Sequence, residues 1–285
     1  MDEDWRERTI KKEALDYHEA SPRGKIKVMP TKPHSTSHEL SLAYSPGVAY
    51  PCLEIAERPE DAYRYTSKGN LVAVISNGTA VLGLGNIGAL ASKPVMEGKG
   101  LLLKTFADID VFDIQVDTED PEEFIKTVCN IAPTFGGINL EDIKAPECFE
   151  IERRIAEATN IPVMHDDQHG TAIISGAALL NAAELQGKDL AKIKVVVAGA
   201  GASAIACASH YISLGVNVEN ILMCDSQGIM TKRRPDAGEL NEYKAKFAVE
   251  CEDGVFADAL VGGDVLLGLS RGGLVSGEMV AMMAV

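Results

Sequence analysis

The chain has 285 residues, a length that favours about two domains, and 46% of its residues are hydrophobic. This composition excludes a disordered or fibrous protein and is typical of an α/β enzyme. The formal net charge of −15 disfavours a nucleic-acid partner, because an acidic surface repels the phosphate backbone.

The first 167 residues are predicted to form an α/β domain. A helix is expected over residues 6–19, and the proline-containing segment after it cannot continue a helix. Helices that open on proline are predicted at residues 121–131 and 146–159. Buried strands, recognised by short apolar runs, are predicted at 71–76, 100–106, 111–116 and 162–165.

Residues 168–285 are predicted to form a nucleotide-binding domain of Rossmann type. A long helix ends near residue 186, and a strand at 193–198, a helix at 202–214 and a strand at 221–225 follow. This alternation predicts a parallel sheet with a right-handed crossover. A further strand is expected at 260–267 and a helix from residue 276. A doubly wound nucleotide domain has about six strands, so we expect this domain to be incomplete at its C-terminus.

Two glycine-rich segments compete for a dinucleotide. Gly83–Gly88 matches G-x-G-x-x-G in full, but its helix is expected to break at Pro94, which favours a tight turn between packed elements. Gly199–Ala204 follows three valines, opens a predicted helix and precedes Asp225, which ends the next strand at a position suited to a ribose. The context favours the second segment. The predicted cofactor-binding residues are Gly199, Ala200, Gly201, Ala202, Ser203 and Asp225.

Two pairs of acidic residues each follow a strand-like run. They are Glu141–Asp142 and Asp166–Asp167. Carboxylate oxygens are the ligands that Mg²⁺ and Mn²⁺ prefer, whereas single acidic pairs are more often solvated loop ends or helix caps. Together with a nicotinamide turn, the pairs favour a metal site. A metal beside a nicotinamide indicates an oxidation whose carbonyl product needs a Lewis acid.

The cysteines and apolar runs predict a cytoplasmic protein. Six cysteines are scattered without Cys-x-x-Cys spacing, which favours buried, reduced thiols over a zinc or redox site. The acidic N-terminus lacks the apolar centre of a signal peptide, and no apolar run is long enough to span a bilayer. We therefore expect neither a membrane nor a nucleic acid as a partner.

Five motifs, in this order, resemble those of the malic enzymes, and most closely the bacterial type that often carries a phosphotransacetylase-like extension. The motifs are Leu42–Ala49, Ser76–Gly88, Lys93–Lys99, Asn139–Ile143 and His165–Ala172. The resemblance implies a malic-enzyme α/β domain followed by a Rossmann-type domain. It also implies oxidation and decarboxylation of (S)-malate to pyruvate and CO₂, with NADP or NAD and with Mg²⁺ or Mn²⁺. We expect a homo-oligomer, a dimer or larger.

The resemblance also assigns roles to individual residues. It implies that Lys99 is the general base, that Tyr44 is the general acid and that Asp166 stands beside base and metal. The implied metal ligands are Glu141, Asp142 and Asp167. Lys99 must take the C2 hydroxyl proton of malate, which near neutral pH requires a lowered pKa, and a nearby divalent cation would lower it. Tyr44 would then protonate C3 of the enolate.

Three features depart from the family pattern. Thr79–Ala80 stands where larger malic enzymes carry an arginine that clamps a substrate carboxylate, so another basic residue or a partner subunit must supply that contact. The family's later asparagines would lie beyond Val285, and the phosphotransacetylase-like extension is also missing. We therefore expect a C-terminally truncated chain, with weak or absent activity if nothing follows. The alternatives are an incompetent fragment or regulatory subunit that retains metal or substrate binding, and a decarboxylase of another 2-hydroxy acid.

The coenzyme preference rests on opposing charges. Asp225 favours NAD, because a carboxylate repels a 2′-phosphate. Lys232, Arg233 and Arg234 lie a few residues further on and could receive that phosphate. Since bacterial relatives of this type are often NADP-linked, NADP is slightly favoured.

Overall fold

The computed structural model describes residues 3–81 and 83–284. The chain divides into two compact units, Met1–Ile143 with Ile151–Met164 and Lys144–Glu150 with His165–Val285. The described residues form two four-stranded sheets, each accompanied by helices. The predicted α/β class is confirmed. None of the helices described is long and apolar enough to cross a bilayer.

The first sheet has the strand order β2-β1-β3-β4, and β1 is parallel to both β2 and β3. Its strands are β1 (Leu71–Ser76), β2 (Asp110–Gln115), β3 (Gly137–Leu140) and β4 (Val163–His165). The helices in this part of the chain are α1 (Glu3–Glu19), α2 (Ser37–Ala43), α3 (Ala49–Glu57), α4 (Ala62–Tyr65), α5 (Ala89–Ala107), α6 (Pro121–Ile131) and α7 (Glu147–Ala158).

Strand β1 forms the centre of this sheet. Ala73, Val74 and Ile75 are completely buried, as expected for a parallel strand covered on both faces. Helix α6 contributes the buried residues Phe124 and Val128. Its predicted start at a proline is confirmed, with the Asp120 carboxylate accepting the N–H of Glu122 as an N-cap. The three helices α2, α3 and α4 were not predicted from the sequence.

The predicted strand at 100–106 is wrong, because α5 runs through that region and continues past Pro94. Pro94 lies in the second turn of α5, so its missing N–H removes a single backbone hydrogen bond near the start of the helix. Met96 and Gly100 are buried on one face. A Cβ at Gly100 would lie 3.2 Å from Val111 of β2, so glycine allows the close approach of helix and strand. The run of leucines satisfied a strand pattern as well as a helical one.

The second sheet has the order β7-β6-β5-β8, with β5 parallel to β6 and β8, and β6 antiparallel to β7. Its strands are β5 (Val195–Ala198), β6 (Ile221–Asp225), β7 (Gly228–Ile229) and β8 (Val265–Gly268). The helices are α8 (Asp166–Gln186), α9 (Ala202–Ser213), α10 (Glu242–Ala245), α11 (Phe256–Leu260) and α12 (Gly277–Ala281). The predicted βαβ unit is present as β5-α9-β6.

The strand predicted at 260–267 is confirmed only at its end, because Phe256–Leu260 forms α11 and β8 begins at Val265. The Asp258 carboxylate accepts the N–H of Val255 and so stabilises the start of this short helix. Leu260 is completely buried. The apolar residue Leu260 therefore packs as part of helix α11 and does not belong to strand β8.

Candidate active site

Two buried carboxylates follow β3 directly. Glu141 continues the pairing with β1, since its N–H donates to the Ile75 carbonyl at 2.9 Å. Glu141 is 5% exposed and Asp142 is 3% exposed. Burying a charged group is costly unless hydrogen bonds or opposite charges compensate it. Such a pair therefore requires partners close by.

Asn139 supplies one of these partners. Its Nδ2 donates to Glu141 Oε2 at 2.8 Å. Residues two apart on a strand point to the same face, so the spacing of Asn139 and Glu141 could have indicated the contact. Asn139 belongs to the motif Asn139–Ile143, but the sequence indicated no individual role for it; in the structure it orients the Glu141 carboxylate.

Asp142 has an unusual backbone conformation. Its φ is +55°, in the left-handed region, and its carbonyl accepts the N–H of Ala80 at 3.0 Å. A residue other than glycine adopts this region at a cost of about 1 kcal/mol or more, and such strain clusters at functional sites. The turn directs the chain away from β3 immediately after the two carboxylates.

Lys99 lies on α5 and meets this pair. Its Nζ is 3.1 Å from Glu141 Oε1, and the Lys99 side chain is only 22% exposed. The structure thus brings the predicted base to one of the predicted metal ligands. An ammonium group beside a buried carboxylate compensates its charge.

Asp166 and Asp167 occupy the first turn of α8, which begins where β4 ends. Acidic residues in the first helical turn are favoured by the helix dipole, so this position alone explains them without a metal. Asp167 has further partners, since its carbonyl accepts the Ser203 hydroxyl at 2.7 Å and its Oδ2 lies 3.4 Å from His165 Nε2. A Cβ at Gly170 would lie 2.5 Å from Asp166 Oδ1, so glycine leaves room for that carboxylate.

The adjacent carboxylates of Glu141 and Asp142 are both buried, and their oxygen atoms are of a kind that could hold a metal ion. Hard oxygen donors suit Mg²⁺ and Mn²⁺ and do not suit a soft metal. The residues present therefore fit a hard divalent cation.

Tyr44 lies at the surface. It is the C-cap residue of α2, with its N–H donated to the Leu40 carbonyl at 2.9 Å, and it is 77% exposed. The phenol is not enclosed as Lys99 is. The role of Tyr44 as a general acid stays a prediction.

The glycine turn predicted to bind a dinucleotide lies at the carboxyl end of β5. Helix α9 leads from this strand to β6 on one side, while β8 pairs with its other side. In open α/β sheets, ligands bind at such a reversal of strand order. Gly201 is the N-cap residue of α9, and no side chain at this position accepts a hydrogen bond from the first N–H groups of the helix. The first N–H groups of α9 are therefore suited to a pyrophosphate.

The two glycines of this turn have different constraints. Gly199 has a φ of +126°, and a Cβ there would lie 2.4 Å from the Leu269 carbonyl oxygen. A Cβ at Gly201 would meet nothing within 4 Å. The fold thus requires glycine at Gly199, whereas only a ligand would require it at Gly201.

These constraints predict opposite phenotypes. Gly201→Ala is expected to change the free energy of unfolding by less than about 1 kcal/mol and to weaken coenzyme binding about tenfold or more. Gly199→Ala is expected to destabilise the protein by about 2 kcal/mol or more. Thermal denaturation and calorimetric titration with NADP and NAD measure both effects. Unchanged coenzyme binding in Gly201→Ala would remove this turn from the site.

Asp225 ends β6 as predicted, but it has a partner that the sequence did not reveal. Arg234 donates to both oxygens of Asp225, from Nη1 at 3.0 Å and from Nη2 at 2.7 Å. Burial acts to raise the pKa of Asp225, but the hydrogen bonds from Arg234 and from the Gln227 N–H outweigh it and keep that pKa below its usual value. Lys232 and Arg233 lie 3.6 Å and 3.8 Å from Glu250.

The other glycine-rich segment forms a compact turn ahead of α5. Val81 and Gly85 exchange backbone hydrogen bonds of 2.9 Å, and Gly83, Gly85 and Gly88 all have positive φ. A Cβ at Gly78 would lie 2.2 Å from the Gly88 carbonyl oxygen. The glycines therefore permit tight chain packing. Leu82, within the segment, lies outside the described residues.

Comparisons with known proteins agree with the motifs. The profile of the malic enzyme N-terminal domain matches residues 23–156, and that of the malic enzyme NAD binding domain matches residues 168–284. An NADP-dependent malic enzyme of Escherichia coli is 57% identical over 277 residues, covering 96% of this chain and 36% of that protein. An NAD-dependent malic enzyme of Rhizobium meliloti is 54% identical over 275 residues, with the same shares of 96% and 36%.

A solved structure shows the same relationship. The crystal structure of an NAD-dependent malic enzyme from Thermotoga maritima has a TM-score of 0.87 and 42% identity, and the match covers 100% of this chain and 72% of that one. The chain spans 36% of the length of the first curated relatives. The chain belongs to the malic enzyme family, as its two domain matches and its likeness to this structure establish.

Proposed function

We propose that this protein oxidises and decarboxylates (S)-malate to pyruvate and CO₂ while reducing NADP⁺ or NAD⁺, with Mg²⁺ or Mn²⁺. The observation that carries the proposal is the contact of Lys99 with the buried Glu141, 3.1 Å between Nζ and Oε1, in a chain of the malic enzyme family. A base beside a cation-binding carboxylate is the arrangement that oxidation of a hydroxyl next to a Lewis acid requires.

Two bound groups would complete the site. Glu141, Asp142 and Asp167 would hold the cation, and the turn Gly199–Gly201 with the start of α9 would hold the coenzyme pyrophosphate. When bound, the cation supplies a Lewis acid for the substrate oxygen, and the nicotinamide accepts the hydride. We propose residues 1–167 as the metal-binding domain and residues 168–285 as the nucleotide domain.

The chain's own residues move the protons. Lys99 accepts the proton of the C2 hydroxyl at its Nζ, and Asn139 holds the Glu141 carboxylate beside it through the 2.8 Å hydrogen bond. Asp166 would serve as a supporting carboxylate for the base and the metal. Tyr44 donates its phenolic proton to C3 after CO₂ departs. Because Tyr44 is exposed, its role as the general acid is tested separately, with the variant Tyr44→Phe.

The setting of the reaction is part of the proposal. We propose a cytoplasmic homo-oligomer, a dimer or larger, that acts on malate and has no nucleic-acid or membrane partner. All six cysteines are free thiols in the part of the chain that the structure describes, which suits a reducing compartment.

An absorbance assay at the band of the reduced nicotinamide tests the function. With malate and Mn²⁺, we expect NADPH or NADH to form together with an equal amount of pyruvate, and we expect chelation of the metal to abolish both. Other 2-hydroxy acids should give no product. Equal rates with and without chelator would exclude the proposed mechanism.

The same assay addresses the competing interpretation. If no malate turns over although Mn²⁺ still raises the melting temperature, the protein is a fragment or a regulatory subunit that retains metal binding. If another 2-hydroxy acid reacts faster than malate, the reaction class is retained and the substrate assignment is wrong.

A further inference from the structure

The side chain of Ser203 makes a contact within the protein. Ser203 is the second residue of α9 and follows the glycine turn closely. Its hydroxyl donates to the Asp167 carbonyl oxygen at 2.7 Å, the usual length of an O–H···O hydrogen bond. A hydroxyl has a single proton to donate. While this bond is made, the Ser203 hydroxyl therefore cannot donate to a phosphate of the coenzyme.

The backbone N–H of Ser203 is suited to a different contact. The first four N–H groups of a helix have no acceptor within that helix, and in α9 Ser203 supplies one of them. N–H groups at this position bind phosphate oxygens, and the helix dipole favours the negative charge. Ser203 can thus bind the coenzyme through its backbone while its side chain binds α8.

Asp167, in the first turn of α8, has contacts at both its backbone and its carboxylate. Its carbonyl accepts the Ser203 hydroxyl, and its Oδ2 lies 3.4 Å from Nε2 of the completely buried His165. The Asp167 side chain is 33% exposed, so burial alone does not restrict it to one position. Hydrogen bonds to a metal-ligating residue orient it and raise its affinity for the metal.

Helices α8 and α9 also pack closely beyond this bond. A Cβ at Gly176 of α8 would lie 2.6 Å from the His210 ring of α9, so glycine allows the two helices to approach each other. Ser175 Oγ lies 3.5 Å from Sγ of the completely buried Cys207. Close-packed elements transmit a displacement and do not absorb it. A restraint on the start of α9 is therefore passed to the first turn of α8.

We infer that Ser203 is a positioning residue that couples coenzyme binding to metal binding. A pyrophosphate bound at the Ser203 N–H restrains this residue, and the Ser203 hydroxyl passes the restraint to Asp167, one of the proposed metal ligands. Each ligand then binds more tightly when the other is present, by the same factor in both directions. The inference rests on the proposed function only in that a metal binds at Asp167 and a dinucleotide at the glycine turn.

Calorimetric titration with Mn²⁺, with and without saturating NADP⁺ and without malate, tests the inference in the absence of turnover. We expect NADP⁺ to lower the Kd of Mn²⁺ about fivefold, as one hydrogen bond between neutral groups can achieve. In Ser203→Ala this factor should fall below about twofold, and the Kd of NADP⁺ alone should also change less than about twofold. Ser203→Thr retains a hydroxyl and should restore the factor.

Ser213→Ala is the matched control. Ser213 is an exposed residue of the same helix, and its hydroxyl also donates to a backbone carbonyl, that of His210, at 2.6 Å. The substitution removes a similar hydrogen bond at the other end of α9. It should leave the effect of NADP⁺ on Mn²⁺ binding unchanged.

Two results would overturn the inference. One is an unchanged coupling factor in Ser203→Ala, or no coupling in the unsubstituted protein. The other is a loss of about tenfold or more in the binding of NADP⁺ alone to Ser203→Ala, which would show that the hydroxyl binds the coenzyme. If neither Mn²⁺ nor NADP⁺ binds, the inference and both proposed binding sites fail. If the coupling is present and Ser203→Ala abolishes it but malate is not oxidised, the proposed function fails and the inference stands.

Discussion

Replacing Lys99 by Met is expected to lower the rate of malate-dependent coenzyme reduction about 10²–10⁴-fold, the contribution typical of a positioned general base. Methionine keeps the length of the side chain but cannot accept a proton. The loss should appear in kcat, measured by absorbance of the reduced nicotinamide at saturating malate, Mn²⁺ and coenzyme. The metal still compensates Glu141, so the shift of the melting temperature by Mn²⁺ should persist.

Lys104→Met is the matched control for this experiment. Lys104 lies on the same helix, α5, but its side chain is 51% exposed and pairs with Asp108 and Asp110 at the surface. Its removal should leave kcat within about twofold, since exposed ion pairs contribute little. If the two variants retained equal activity, Lys99 would not be the base and the proposed mechanism would fail.

Asp142→Gly is expected to separate stability from function. Glycine adopts the φ of +55° without steric cost and removes a charge buried beside Glu141. In the presence of a chelator, the free energy of unfolding should therefore rise by about 1 kcal/mol, whereas most substitutions of buried residues lower it. Metal-dependent turnover should fall below detection, because one of three ligands is lost. Denaturant unfolding with chelator and the malate assay measure the two effects.

Asp142→Asn separates the effect of the lost charge from the effect of the relieved backbone conformation. Asparagine tolerates the left-handed region as aspartate does and keeps the shape of the side chain, but it lacks the charge. We expect it to lose the Mn²⁺-induced rise in melting temperature, as Asp142→Gly does, without relief of the backbone. Retention of the Mn²⁺ shift in both variants would show that Asp142 is not a ligand.

Short-range chemistry in the sequence predicted the βαβ unit of the second sheet. The helix of the βαβ unit begins at Ala202 as predicted, since the valines of β5 and the glycine turn leave little choice of conformation. The same reasoning failed for α5, where a run of leucines fits both a strand and a helix. There the packing of Gly100 against Val111 selected the helix. Short elements such as α11 were also missed, because their ends depend on burial.

The sequence by itself determined the family, the α/β class and the residue types from which a metal and nucleotide site could be built, because the motifs are local and keep their order along the chain. Only the tertiary structure decided which of those residues meet. The contact of Lys99 with Glu141 joins a helix to the end of a distant strand, and Arg234 reaches Asp225 from a loop. Contacts of this kind depend on strand order and on the packing of helices, and no pattern of neighbouring residues encodes either.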